Sequence, residues 1–130
     1  GLTRGTSREH IARAALEAIA YQSFDLVKAM EKDSKIKLKQ LRVDGGASVN
    51  NLLMQFQAEL LRVPIIRPKI IETTALGAAY LAGLAVNFWE DQSDISRHWK
   101  SEKQFNCKKP EGKIKILYQE WLKAVEKTNT

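Results

Sequence analysis

The stretch LRVDGGASVNNLLMQF, residues 41–56, concentrates the residue types that could do chemistry. An apolar run ends on the carboxylate of Asp44. Gly45 and Gly46 follow, and then Asn50 and Asn51 precede a renewed apolar pattern at helical spacing. A strand that ends in Gly-Gly and opens into a helix can hold a ligand. Without Cβ atoms, the two glycines let backbone lie against a flat or charged group. The helix start adds unpaired N–H groups and a partial positive charge. Asn50 adds an amide that can both donate and accept. The competing account is a plain strand-to-helix turn with an Asn cap, and the pattern alone favours that account. The stretch is not a Walker P-loop, because no Gly-Lys-Ser/Thr follows. It is not a dinucleotide fingerprint either, because GGASVN lacks the third glycine.

Other polar residues carry less. His10 and His98 stand far apart without ligand-spaced Cys, Asp or Glu, so no metal site is predicted. Cys107 is the single cysteine, which rules out an intrachain disulfide and fits a reducing compartment. Glu17 sits in an apolar helix and Glu72 beside Thr73. Both read as salt-bridge or cap residues. No two carboxylates are spaced for acid–base work, so no catalytic residue is assigned.

These residues need elements to hold them. Thr6 with Glu9 suggests a capping box, and a helix is predicted over about 7–32. Its stripe is Ile11, Ala15, Ala18, Ile19, Gln22, Leu26 and Ala29. The segment IARAALEAIAY is apolar on more than one face, which predicts a helix wedged between neighbours. QLRV reads as a short strand ending at Asp44. NNLLMQFQAELLR is a second helix with Leu53, Phe56, Gln57, Leu60 and Leu61 on one side. VPIIRP is extended between prolines. Thr73 or Thr74 is expected to cap a third helix, TALGAAYLAGLAVN. Its small residues predict close approach of another backbone, which would offset a cost of ~1 kcal/mol per helical Gly. A helical turn near Asp91–Ile95, an edge strand at KQFNC and an amphipathic C-terminal helix with Ile114, Leu117, Trp121 and Val125 complete the reading. The class is α/β and helix-rich. One firm strand and one less certain one cannot make a sheet alone. That shortage, with an opening at Gly1 rather than Met, predicts a piece of a longer protein.

At 130 residues the chain is expected to be one domain able to bury a core. Its 44% apolar and 28% charged content is that of a globular protein. No apolar run approaches the roughly 18 residues of a membrane span. The net charge of +6 comes from scattered lysines interleaved with acids. There is no Arg/Lys block or aromatic-basic alternation, so a nucleic-acid partner is not predicted.

Taken together, four segments resemble the C-terminal part of the FGGY carbohydrate kinases. They are GLTRGTSREHIARAALEAIAYQ, LRVDGGASVNNLLMQFQA, VPIIRPKIIETTALGAAYLAGLAVNFW and, more loosely, the closing Tyr-x-x-Trp-x-x-Ala-Val helix. MQFQA with ETTALGAAYLAGLAVNFW points to the glycerol-phosphorylating branch rather than to xylulokinase-like or gluconokinase-like members. The resemblance implies an actin-like, ribonuclease-H-like fold, of which residues 1–130 would form the later part of the second domain. It implies ATP in the interdomain cleft, with Gly46 and Asn50 touching the adenosine end and Gly45 and Ala47 shaping the loop. It also implies Mg2+, a catalytic aspartate and glycerol contacts upstream of this chain, a cytoplasmic location and a homo-oligomeric parent. The parent would convert ATP and glycerol to ADP and sn-glycerol 3-phosphate, and the segment alone would not. The alternatives are another sugar or polyol kinase of the family, or a non-catalytic actin-like nucleotide-binding or interaction module.

Overall fold

A computed structural model describes residues 1–108 and 110–128. Helix α1 spans Arg8–Ser34, strand β1 Leu41–Arg42, helix α2 Asn51–Leu61, strand β2 Ile65–Pro68, helix α3 Thr73–Ala85, helix α4 Gln92–His98, strand β3 Ser101–Phe105 and helix α5 Glu111–Glu126. A 3-10 turn, Gly46–Val49, joins β1 to α2.

The strands do form a sheet. β1 runs parallel to β2, and β3 closes the other side of β2 antiparallel. The supply of strands expected to be missing is met in part by VPIIRP and by SEKQF, which lies at the edge as the KQFNC reading anticipated. The β2–β3 register pairs Arg67 with Lys103 but Pro68 with Ser101. Glu102 is therefore an extra residue on β3, a bulge that re-aims its side chain.

Helix α2 is the centre of the core. All five of its predicted inward residues are buried, together with Met54, Ala58 and Glu59. Tyr21 of α1 meets Phe56 of α2 edge-on at 5.4 Å and stacks on Trp121 of α5 at 5.2 Å. Asp25 of α1 accepts hydrogen bonds from the Tyr118 hydroxyl and from Trp121 Nε1, the latter at 3.2 Å.

Three details differ from the sequence reading. The α1 stripe predicted to face inward does not. Ala20 and Tyr21 are buried, with Leu16, Phe24 and Val27 packed beside them, while Ile11, Ile19 and Leu26 face out. The helix is apolar on two sides, and its periodicity cannot tell which side meets α2. The cap of α1 is Ser7, whose N–H donates to His10 Nδ1 at 3.1 Å, in place of a Thr6–Glu9 box. Thr6 instead turns its hydroxyl back to Thr3 N. Finally, α3 buries no residue. Gly77 faces open space, and Gly83 is crowded by the Trp89 indole rather than by a second backbone.

Candidate functional site

The loop from Asp44 to Asn50 is held from several sides. β1 presents alternate side chains to opposite faces. Leu41 and Val43 pack on the core, and Asp44 is exposed beyond them. The Asp44 carboxylate accepts a hydrogen bond from the Thr73 hydroxyl. Thr73 is thus the first residue of α3 and a tether, not its cap. Glu72 holds the cap position without a side-chain cap bond. Next to this contact, Gly45 N–H donates to the Ile71 carbonyl at 2.9 Å. Asp44 is a fixing residue in this arrangement.

The two glycines have different reasons. Gly45 lies at φ 74°, ψ 174°, a region essentially closed to residues with a Cβ. Gly46 has no such constraint, and a Cβ built on it meets nothing within 4 Å. What Gly46 supplies is open, approachable backbone. Ala47 beside it is exposed, while Ser48 is buried. The Ser48 hydroxyl donates to the Gly45 carbonyl at 2.7 Å, and Ser48 N–H donates to the same oxygen at 3.1 Å.

Asn50 caps α2. Its Oδ1 accepts from Leu52 N at 3.0 Å and Leu53 N at 3.1 Å. These bonds satisfy two of the helix's orphan donors. They also use the amide's acceptor, which leaves the Nδ2 end outside the cap. The plain-turn account and the ligand-loop account are therefore compatible. The cap presents Gly46, Ala47 and the Asn50 amide on one short loop at a helix start.

Arg67 is the residue that sequence reasoning missed. It is buried on β2. Nη1 donates to the Ser48 carbonyl at 2.7 Å, and the guanidinium forms a two-pronged ion pair with Glu102, Nη2 to Oε1 being 3.2 Å. The guanidinium beside Glu102 holds that carboxyl below the usual range. Nothing in the run IIRP announces that its arginine points inward. Its ion-pair partner, Glu102, is brought to it by the bulge on β3.

A cleft of about 550 Å3 lies next to the loop, between the sheet, α3 and α4. Thr73, Tyr80, Trp99 and Arg42 line it, with Arg42 stacked on Trp99 at 4.1 Å. Gly45, Gly46, Ala47 and Asn50 are not among its walls.

The other candidates are structural. Glu17 pairs with Arg13 at 2.6 Å. His10 serves the α1 cap, and His98 lies against Trp89, ring centres 4.7 Å apart. The Cys107 thiol donates to the buried Glu59 carboxylate at 3.3 Å, and Glu59 also accepts from Gln55 Nε2 and Lys108 N. Among the described residues no group of three His, Cys, Asp or Glu could hold a metal, and no helix is long and apolar enough to cross a membrane.

Comparison with known proteins adds a second kind of evidence. The family model described as "FGGY family of carbohydrate kinases, C-terminal domain" matches residues 1–86. The chain is 60% identical over 125 residues to the glycerol kinase of Deinococcus radiodurans, which covers 96% of this chain and 25% of that one. The crystal structure of Plasmodium falciparum glycerol kinase with ADP superposes with a TM-score of 0.84 at 42% identity, over 98% of this chain and 26% of that one. Ligand-bound xylulose kinase from Lactobacillus acidophilus gives 0.73 at 27% identity, over 97% of this chain and 26% of that one. The chain spans about a quarter of the length of the curated relatives it matches.

Proposed function

The chain belongs to the FGGY family of carbohydrate kinases, and from that membership we propose that it supplies the adenosine-side loop of an ATP-dependent glycerol kinase. Its helix-rich α/β fold with a three-stranded mixed sheet is that of the actin-like C-terminal domain of the family. On this reading residues 1–130 are the later part of that domain. The parent protein converts ATP and glycerol to ADP and sn-glycerol 3-phosphate.

One observation carries the reading. Gly46, Ala47 and the Asn50 amide stand together at a helix start, with Gly46 open to approach. The loop also lies in a chain that matches an ADP-bound glycerol kinase over nearly its whole length. Gly46 and Ala47 offer backbone to a base or ribose. Asn50 Nδ2 donates to a nucleotide acceptor while its Oδ1 stays with α2. Gly45 shapes the turn. Phosphoryl transfer itself depends on positioning and charge at the γ-phosphate. Asp44, the carboxylate of this loop, accepts a hydrogen bond from Thr73, and among the described residues no group of three His, Cys, Asp or Glu could hold a metal. Mg2+, the base and the glycerol contacts are assigned to the rest of the parent, as are its homo-oligomeric assembly and its cytoplasmic place.

A nucleotide-soaked structure of the full-length parent tests the site. Gly46 and Asn50 are expected in direct contact with the adenosine. A separation beyond about 5 Å, outside contact range, would overturn the assignment. Glycerol-dependent ADP release by the parent tests the substrate. A coupled assay on the 130 residues alone is expected to show no turnover, and turnover there would refute the division of labour proposed.

A further inference from the structure

We infer that Arg67, aimed by the bulged Glu102, is a positioning residue for nucleotide binding, acting through the Ser48 carbonyl. The inference rests on the reading of Gly46–Asn50 as the nucleotide loop. Three observations carry it. Arg67 is 6% exposed, yet it spends one prong of its guanidinium on a backbone oxygen of the 3-10 turn, Nη1 to Ser48 O at 2.7 Å. That oxygen lies two residues from Gly46 and two from Asn50, in the middle of the ligand-facing segment. Arg67 Nε and Nη2 donate to Glu102, which reaches the arginine because β3 carries one extra residue there. An unbulged β3 would turn that carboxylate to the opposite face.

The geometry links three parts of the chain that are distant in sequence: the turn, the central strand and the edge strand. A planar fork can hold a carbonyl and a carboxylate at once, whereas an ammonium on a flexible stem is a single point charge. The Phe105 ring, 5.5 Å from the guanidinium, flanks it. Arg67 is buried, with its guanidinium engaged by the Ser48 carbonyl and by Glu102. Its effect is on where Gly46, Ala47 and the Asn50 amide point, so it belongs to affinity for nucleotide and not to the chemical step.

The test uses the full-length parent and ADP or ATP. In Arg67→Lys, the dissociation constant for ADP and the KM for ATP are expected to rise about tenfold, the equivalent of losing one charge-assisted hydrogen bond. The KM for glycerol is expected to stay within twofold and kcat to change little. In Glu102→Gln the same direction is expected with a smaller size, about threefold. If Arg67→Lys does not fold, Glu102→Gln decides by itself. A folded variant with lowered thermal stability but unchanged ADP affinity would overturn the inference and leave Arg67 a core residue only. Equal rises in KM for ATP and for glycerol would overturn it too. Asn50→Ala separates this from the parent reading. If Asn50→Ala also leaves ADP affinity unchanged, the nucleotide-loop assignment itself fails. If Asn50→Ala weakens ADP while the Arg67 and Glu102 variants do not, only the inference fails.

Discussion

At the scale of single residues, Gly45 and Gly46 look alike in sequence and part company in the structure. Gly45 sits at a positive φ that an L side chain rarely adopts, while Gly46 has ordinary backbone and open space. Gly45→Ala is therefore expected to cost about 1–3 kcal/mol of stability, read as a fall in the denaturation midpoint. Gly46→Ala is expected to change stability by less than about 0.5 kcal/mol yet to weaken nucleotide binding in the parent. The pair of variants thus separates fold from ligand. An equal loss of stability in both would show that the two glycines share one structural role. The Gly-Gly signal was legible in sequence because it is local. That Asp44 closes an apolar run was legible for the same reason. Its partner was not. Thr73 looked like a cap because Thr before an apolar run usually is one, and only the parallel pairing of β1 with β2 brings its hydroxyl to Asp44. The role of Arg67 was invisible because its partner Glu102 lies on a strand thirty-five residues away and is re-aimed by a bulge.

At the scale of elements, α1 is anchored twice. Near its middle, Asp25 gathers the Tyr118 hydroxyl and the Trp121 indole N–H of α5. Asp25→Ala would leave two half-buried donors without their acceptor and is expected to cost about 1–3 kcal/mol, measured by chemical denaturation. At its C-terminal end, Glu31 accepts from Leu38 N at 2.8 Å and from Lys28 Nζ at 2.8 Å, which folds the following connector back onto the helix. The Lys28 hydrogen bond, then the Leu38 N–H, hold the Glu31 carboxyl down to about 2. A depressed carboxylate stabilises the fold above its ordinary value of 4.5, and that contribution is lost as pH falls from there toward about 2. Glu31→Gln is expected to flatten this part of the acid limb, so that the variant and the parent sequence converge in stability near pH 2. A difference that stays constant across the acid range would refute the linkage. The existence of α1, α2, α3 and α5 could be read from periodicity. The orientation of α1 could not. Apolar residues cover two of its sides, and the choice between them is made by Phe56 and Trp121, which Tyr21 meets. The strands were harder still. β1 has two residues and β3 is polar and exposed over four of its five, so neither carries a full alternation.

At the scale of the whole molecule, the unburied apolar surface is organised, not scattered. Ile11, Ile19, Leu26 and Met30, each 47–63% exposed, form one stripe down α1. Leu81, Val86 and Phe88, each above 70% exposed, extend from α3, a helix that buries nothing here. β1 is an edge strand whose outer side has no partner among the described residues. Single exposed hydrophobics are normal on a monomer, but aligned faces and an open strand edge mark surfaces that something covers. The chain spans about a quarter of its curated relatives, and we expect the remainder of such a protein to provide that cover. On this account the 130 residues in isolation bind a hydrophobic-surface dye strongly and self-associate as concentration rises. The full-length parent does neither to the same degree. Sedimentation of the isolated chain over a concentration series, with dye fluorescence alongside, measures both. Replacing Ile19 and Leu26 by lysine should suppress association while leaving the α1–α2–α5 core intact, because neither residue belongs to it. A monodisperse isolated chain with weak dye binding would mean that these faces are sufficiently solvated by themselves. The sheet edge at β1 would then be the end of the domain and not a join.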